Sequence, residues 1–257
     1  RRHTRYWRDW SSDVCSSDLG HNGYLPSPGI APAREAVAKD YSARGVPMTP
    51  DRVLITTGTS EAIELALSAL VNPGEEVLVP SPTYPLYTAV LAKLGTSPVY
   101  YQTDPSRGWL PDLDHLRSLI TTNTRVLVVI DPNNPTGAVY PADVRRALIQ
   151  IAEEHGLVIL ADEVYGDLGF DKPVPPLGSL DQAAPIISLS SLSKAYLAPG
   201  WRQELMPLAR FLQAHLRGGG ADVHGLEGQA RQGQQRRAVQ AREHERHELV
   251  ELRGAPP

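Results

Sequence analysis

The chain has 257 residues, of which 41% are hydrophobic and 21% are charged, and its formal net charge is −4. This is an ordinary globular composition with room for one large domain or two smaller ones. The mild negative charge gives no reason to expect a nucleic acid or an anionic membrane as partner, and no apolar run approaches the roughly 20 residues that span a bilayer.

The first 19 residues do not resemble a folded element. Arg1–Leu19 lack helical or strand periodicity, and Asp9–Leu19 resembles the translation of a sequencing-library adaptor. We therefore expect residues 1–19 to be a non-native leader, without the apolar segment of a secretory signal. This stretch holds the single cysteine, Cys15, so an internal disulfide framework is excluded and a cytoplasmic location is expected.

Residues 20–202 alternate between strand-like and helix-like segments with short connections rich in Gly and Pro. This alternation is typical of an α/β protein with a doubly wound, mostly parallel sheet, in which ligands bind beyond the carboxyl ends of the strands. The predicted strands are Val53–Thr56, Glu76–Val79, Pro98–Tyr101, Arg125–Ile130, Leu157–Leu160 and Ile186–Leu189. The predicted helices are Ala33–Ala43, Ala62–Leu70, Tyr84–Leu94, Leu113–Ile120 and Ala142–Glu154.

The first two strand ends offer an anion site and an aromatic ring. Gly58, Thr59 and Ser60 open a helix, whose N–H groups and dipole attract an anion, although a hydroxyl residue there often serves only as an N-cap. Tyr84 follows the next strand and could stack on a planar heterocycle, or simply pack under a loop.

A rigid turn, Asp131–Gly137, follows the predicted strand Arg125–Ile130. It contains two asparagines, two prolines and a glycine, and such residues fix a tight turn without any further role. The same turn would also hold the Asn134 amide where it can donate to a phenolate oxygen. A cis Asn134–Pro135 bond would be unsurprising in such a turn.

A carboxylate, Asp162, comes directly after the buried strand Leu157–Leu160. A buried carboxylate needs a partner, and a protonated pyridine nitrogen is one candidate, while a neighbouring loop is another. Tyr165 could hydrogen-bond the oxygen of the same ring. An anionic Asp162 would keep the ring protonated, which is what makes it an electron sink.

A lysine, Lys194, follows the last predicted strand among small hydroxyl residues. Its amine can form a Schiff base with a carbonyl, while Ser191, Ser193 and Arg202 can hold a phosphate dianion. A lone lysine is usually a solvated surface residue. Combined with the pyridine partner proposed for Asp162, however, this stretch indicates pyridoxal phosphate as cofactor.

In this order along residues 20–202, the motifs resemble those of the class I/II aminotransferases of the fold-type-I pyridoxal-phosphate family. The matching segments are Gly58-Thr59-Ser60, Asn134-Pro135-Thr136-Gly137, Asp162-Glu163-Val164-Tyr165, and Ser191-Leu192-Ser193-Lys194 with Arg202 eight residues later. The Asn-Pro-Thr-Gly and Ser-x-Ser-Lys segments are the specific ones. The resemblance is closest to alanine or broad-specificity aminotransferases.

The resemblance implies a role for each matched residue. Lys194 would be the catalytic residue, carrying the cofactor and moving a proton between the substrate Cα and the cofactor C4′. Asp162 would pair with the pyridine nitrogen, Asn134 and Tyr165 would contact the ring oxygen, and Tyr84 would stack on the ring. The phosphate would lie among Gly58, Thr59, Ser60, Ser191, Ser193 and Arg202, and no metal is expected. Tyr24 would enter the phosphate site of a neighbouring subunit, which implies a homodimer.

The sequence changes character after Arg202. Residues 203–257 contain no Lys, Ile, Tyr or Trp, so we expect low order there, with at most short helices near Glu204–Leu216 and Gln235–Leu252. A natural disordered tail and a shifted reading frame both fit, and we favour the shifted frame. By the resemblance, the small C-terminal domain and its carboxylate-binding arginine are missing.

The sequence therefore predicts a pyridoxal-phosphate enzyme that moves an amino group between an amino acid and a 2-oxo acid by a ping-pong route. A lyase acting at Cβ or Cγ would share the cofactor motifs. A third possibility is a non-catalytic chain, either a truncated product or a sensing domain of a regulator, although residues 1–19 are too short for the helix-turn-helix of such a regulator. We expect this chain to show little or no transaminase turnover.

Overall fold

An eight-stranded sheet forms the centre of the protein in the computed structural model, which describes residues 24–169 and 172–197 and the backbone of 204–207. The strands are β1 Val53–Thr56, β2 Glu76–Ser81, β3 Ser97–Asp104, β4 Leu110–Pro111, β5 Thr124–Ile130, β6 Val158–Asp162, β7 Ile186–Ser191 and β8 Glu204–Pro207. Their order across the sheet is β1-β8-β7-β6-β5-β2-β3-β4. The predicted strands are all present, within a few residues of their expected bounds.

The strand directions bring six strand ends to one edge of the sheet. Strands β2, β3, β5, β6 and β7 pair in parallel, whereas β8 runs antiparallel to both β1 and β7. Strand β1 therefore has the same direction as β7. The carboxyl ends of β1, β2, β3, β5, β6 and β7 consequently share one edge, as expected for a doubly wound, mostly parallel sheet.

Helices cover both faces of the sheet. They are α1 Ala31–Ala43, α2 Thr59–Leu70, α3 Pro85–Leu94, α4 Leu113–Ser118, α5 Ala142–His155 and α6 Leu192–Ala195. Alternate side chains of β5 point to opposite faces: Val128 joins a buried cluster with residues of α2 and α3, and Leu127 joins one with residues of α5. This explains why the β5 segment is apolar throughout.

The segment before α1 lies against β1. Pro28 O accepts a hydrogen bond from Ile55 N at 3.0 Å, and Gly29 adopts a left-handed φ of +97°. A Cβ on Gly29 would come within 2.6 Å of Ile55 Cγ1, so only glycine permits this close approach. One edge of β1 is thus covered by chain rather than left open.

The helix predicted near Glu204–Leu216 is wrong over its first turn, because Glu204–Pro207 forms β8. This strand fills the position between β1 and β7, with Val53 opposite Pro207 and Ser191 opposite Glu204. Backbone partners on both sides favour an extended strand whatever the local helix propensity. The rest of that helix, the helix predicted near Gln235–Leu252 and the leader 1–19 lie outside the described residues. Among the helices that the structure describes, none combines the length and hydropathy of a transmembrane span.

Candidate functional site

A buried carboxylate, Asp162, lies at the middle of the carboxyl edge of the sheet. It ends β6, opposite Ile130 of β5 and Leu189 of β7, and is 6% exposed. Its Oδ2 accepts a 2.8 Å hydrogen bond from the hydroxyl of Tyr87, and its Oδ1 accepts a longer one, 3.4 Å, from Val164 N. The protein partners of this carboxylate thus include a helix residue, Tyr87, as well as the neighbouring loop.

A lysine follows the adjacent strand end. Helix α6 begins after β7 with Ser191 as N-cap, and Ser191 Oγ accepts a hydrogen bond from Ser193 N at 2.9 Å. The Ser191 hydroxyl proton is left to donate elsewhere. Lys194 lies on this short helix with its side chain exposed and without a hydrogen bond inside the described part of the chain.

The turn after β5 is held by Asn133, which leaves Asn134 available. Asn133 Oδ1 accepts hydrogen bonds from Thr136 Oγ1 at 2.9 Å and from Thr136 N at 3.3 Å, and Asn133 O accepts one from Gly137 N at 2.8 Å. The Asn134–Pro135 peptide is cis. The half-buried Asn134 side chain makes no hydrogen bond within the described ranges. The turn thus presents one free amide at the edge of the sheet.

A buried ion pair lies beneath this turn. Asp131 Oδ1 accepts a hydrogen bond from Tyr140 N at 3.0 Å, and Asp131 Oδ2 lies 3.1 Å from Arg145 Nε without an in-line hydrogen bond. Arg145 also donates to Pro175 O at 2.6 Å. Burial raises the pKa of Asp131 to about 6, against the opposing effects of the Tyr140 N–H and the Arg145 charge. The pair joins the turn to α5, and the sequence analysis did not identify it.

The start of α2 is open toward the same edge. Its N-cap is Gly58, so Thr59 and Ser60 are its first two helical residues, and no side chain caps the helix. The preceding residue, Thr57, donates both its N–H and its hydroxyl to Glu61 Oε2, at 2.6 and 2.8 Å. The alternative reading of Thr59 or Ser60 as the N-cap is therefore wrong, and the positive end of the helix can receive an anion.

The remaining predicted residues differ in how the structure places them. Tyr84 is the N-cap of α3 and is 37% exposed, beside the end of β2. Tyr165 is half-buried in the turn after β6, and the side chain of Tyr24 is fully exposed. Arg202 lies outside the described residues.

A second buried carboxylate, Glu163, is the residue after Asp162 in the chain. Its Oε1 accepts a 2.5 Å hydrogen bond from Leu177 N, and its Oε2 lies at 3.5 Å from the donating hydroxyl of Tyr41. Burial raises the pKa of Glu163 to about 7, although the Leu177 N–H and the Arg145 charge lower it. Glu163 therefore connects β6 to α1 through Tyr41 and to the loop that contains Leu177. The sequence motif did not predict this structural role.

The groups at this edge fit pyridoxal phosphate. A buried carboxylate, Asp162, can face a pyridine nitrogen, and the amide of Asn134 and the phenol of Tyr165 have hydrogen-bonding capacity to spare. The exposed amine of Lys194 can reach an aldehyde, and the uncapped start of α2 can take a phosphate. These five groups come from the ends of four strands, β1, β5, β6 and β7, which meet only in the folded sheet.

A comparison with known families gives a match to the model for aminotransferase class I and II over residues 13–203. Among curated proteins, the glutamate-pyruvate aminotransferase AlaA of Escherichia coli K12 is 42% identical over 190 residues, which cover 72% of this chain and 46% of that protein. The tyrosine aminotransferase of Mus musculus is 40% identical over 183 residues, covering 71% and 40% of the two chains. The chain therefore spans about half the length of the curated relatives it matches.

Solved structures show the same similarity in three dimensions. An alanine aminotransferase from Pyrococcus furiosus matches with a TM-score of 0.72 and 38% identity, over 75% of this chain and 49% of that one. A mutant aspartate aminotransferase from Thermus thermophilus matches with a TM-score of 0.72 and 33% identity, over 76% and 51% of the two chains. Fold and sequence thus point to the same group of proteins.

Proposed function

Because the chain belongs to the class I and II aminotransferases, we propose that its whole protein transfers an amino group between an amino acid and a 2-oxo acid with pyridoxal phosphate as cofactor. The observation that carries the proposal is the placement of Asp162 and Lys194 at neighbouring strand ends of one sheet edge. The relatives named above act, by their names, on glutamate with pyruvate, on tyrosine, on alanine and on aspartate. We therefore propose the substrate class and not one amino acid.

In this proposal Asp162, Asn134 and Tyr165 hold the cofactor ring. The Asp162 carboxylate keeps the pyridine nitrogen protonated, and Asn134 and Tyr165 donate to the ring oxygen. Pyridoxal phosphate supplies a protonated ring that withdraws electrons from the Cα of a bound amino acid. Tyr84 covers one face of the ring by stacking.

The phosphate is proposed to bind at the start of α2 and around Ser191. Gly58, Thr59 and Ser60 provide N–H and hydroxyl donors at the positive end of the helix. Ser191 and Ser193 add hydroxyls from the other side, and Arg202 would add a guanidinium. Tyr24 is proposed to reach the phosphate of a second subunit, and its full exposure in the single chain supports that proposal.

Lys194 is proposed as the catalytic residue. With pyridoxal phosphate bound, the Lys194 amine would hold the cofactor through its aldehyde carbon. The same amine would serve as the base that moves the proton of the substrate Cα. It lies three residues after the end of β7, and β7 pairs with the strand that carries Asp162.

Covalent capture of the cofactor tests this assignment. After incubation with a low concentration of pyridoxal phosphate, borohydride reduction should fix the cofactor on the peptide that contains Lys194, as read by mass spectrometry. Lys194→Ala should lose the label, while Lys39→Ala, a change at an exposed lysine of α1, should keep it. Equal labelling of Lys39 and Lys194 in the folded protein would show capture by surface amines and would contradict the proposal.

The activity is proposed for the whole protein, and we expect the 257-residue chain to bind cofactor with little or no turnover. An assay that measures both the 2-oxo acid and released ammonia separates amino transfer from a lyase reaction. Clear turnover by the purified chain would contradict the expectation.

We propose residues 20–202 as the cofactor-binding domain of a cytoplasmic homodimer, with β8 completing its sheet. The nucleotide sequence across codon 202 tests whether the reading frame shifts there. The molecular mass of the whole protein in solution tests the dimer.

A further inference from the structure

Tyr87 is a buried tyrosine whose hydroxyl contacts the carboxylate of Asp162 in the proposed site. It lies in the first turn of α3 and is 0% exposed, and its hydroxyl donates to Asp162 Oδ2 at 2.8 Å. Burial, reinforced by the negative charge of Asp162, raises the pKa of Tyr87 well above its usual range. The hydroxyl therefore keeps its proton and acts as a donor to the carboxylate at every working pH.

The same helical turn carries Tyr84 and Tyr87. Tyr84 is the N-cap of α3, and its carbonyl oxygen accepts a 3.2 Å hydrogen bond from Tyr87 N. Tyr84, which is proposed to stack on the ring, is thus hydrogen-bonded through its backbone to Tyr87. Tyr87 in turn contacts Asp162, the carboxylate proposed to face the ring nitrogen. One short backbone segment, residues 84–87, therefore positions both tyrosines.

A buried carboxylate needs such support to keep its charge. Removal from water favours the neutral acid, and a donated hydrogen bond favours the anion. A neutral Asp162 could not pair with a protonated pyridine nitrogen. The bond from Val164 N to the same carboxylate is long, at 3.4 Å, so the 2.8 Å bond from Tyr87 is the stronger of these two hydrogen bonds.

We propose that Tyr87 is a positioning residue that holds the Asp162 carboxylate as an anion, oriented toward the pyridine nitrogen of the cofactor. This inference rests on the proposed function. Tyr87 does not touch the cofactor in this arrangement and acts only through Asp162. Its effect should therefore depend on the presence of a nitrogen in the ring.

The test compares the binding of two compounds by the full 257-residue chain. One is pyridoxal phosphate, and the other is its 1-deaza analogue, in which carbon replaces the ring nitrogen. The wild-type chain should prefer pyridoxal phosphate. Tyr87→Phe, which removes only the hydroxyl, should reduce that preference by on the order of tenfold, because a hydrogen bond to a charged group is lost.

A matched control is available in Tyr101→Phe. Tyr101 is also 0% exposed, and its hydroxyl donates to Val128 O at 2.9 Å, a backbone carbonyl rather than the Asp162 carboxylate. This variant should keep the full preference. The double variant Tyr87→Phe with Asp162→Asn should lose no more preference than Asp162→Asn alone, because both changes act on one interaction.

The possible results separate the two proposals. If the wild-type chain binds both compounds equally, Asp162 does not pair with the ring nitrogen, and both proposals fail. If the wild-type chain prefers pyridoxal phosphate and Tyr87→Phe weakens both compounds equally, or neither, the role of Tyr87 alone is overturned.

Discussion

At the scale of single residues, the two buried acids Glu163 and Asp131 couple the stability of the fold to pH. Burial raises the pKa of Glu163 from 4.5 to about 7 and that of Asp131 from 3.8 to about 6. The folded chain therefore binds these protons more tightly than the unfolded chain. Their contribution to the free energy of unfolding is full below the unfolded pKa values and falls as the pH rises through the folded ones.

Glu163→Gln should remove much of this pH dependence. The amide oxygen can still accept the hydrogen bond from Leu177 N, while the charge that is unfavourable in the buried state is gone. Relative to wild type, the variant should gain about 2 to 3 kcal/mol in free energy of unfolding between pH 5 and pH 8. Urea unfolding at the two pH values measures this gain. An equal difference between variant and wild type at both pH values would show that Glu163 does not titrate in this window.

The positions of Asp162 and Lys194 in the fold could be predicted from the sequence, while their chemical roles stay predictions. Asp162 and Lys194 each follow a recognisable apolar strand, and the structure places both at the expected edge. Tyr87 was missed because its partner lies 75 residues along the chain, and no local pattern marks that contact. An aromatic residue three positions after Tyr84, on the inner face of the same helix, is the one signal that could have suggested it.

At the scale of elements, the β5 turn depends on α5 through the pair of Asp131 and Arg145. Both residues are 4% exposed, so removal of either partner leaves a buried charge. The pair is invisible to a sequence analysis because Arg145 lies on the apolar face of a helix, where an arginine is unexpected. The glycine and prolines predicted the turn from the sequence, whereas nothing in the sequence predicted the ion pair that anchors it.

Arg145→Met should therefore be strongly destabilising. Breaking a buried ion pair by removing one partner costs about 3 kcal/mol or more. Arg125→Met is the matched control, because the pair of Arg125 with Glu75 is partly exposed and should contribute only about 0–1 kcal/mol. Urea unfolding of both variants measures the two losses. Similar small losses would mean that the buried pair contributes no more than a surface pair.

The hydrophobic pattern predicted the bounds of the long strands well. It was less accurate for the start of one helix and for the two short strands. Helix α2 starts at Thr59 rather than Ala62, because its first turn is polar and faces the proposed site. Strand β4 was not predicted, since two residues carry no periodicity. Strand β8 was mistaken for a helix because its pairing partners lie elsewhere in the chain.

At the scale of the whole molecule, β8 connects β1 to the rest of the sheet. In the described sheet, β1 pairs only with β8, and β8 also pairs with β7. A chain that stops at residue 203 should therefore lose amide protection in β1 and retain it in β5 and β6. A chain that stops at residue 207 is the control and should keep both.

Hydrogen exchange with mass spectrometry measures the two truncated chains. Protection of β5 reports that the core of each chain is folded, so a loss confined to β1 is interpretable. Unchanged protection of β1 in the chain that stops at 203 would show that residues 204–207 do not hold it.

The place of β8 also fixes an order of events during synthesis. Strand β1 leaves the ribosome early, but its partner emerges about 150 residues later, a delay of roughly 8 to 30 seconds at the usual rate of elongation. Strands β2, β3, β5, β6 and β7 can pair among themselves during that time. The first strand to be made is thus among the last to join the sheet, and the nascent chain must carry it unpaired until β8 appears.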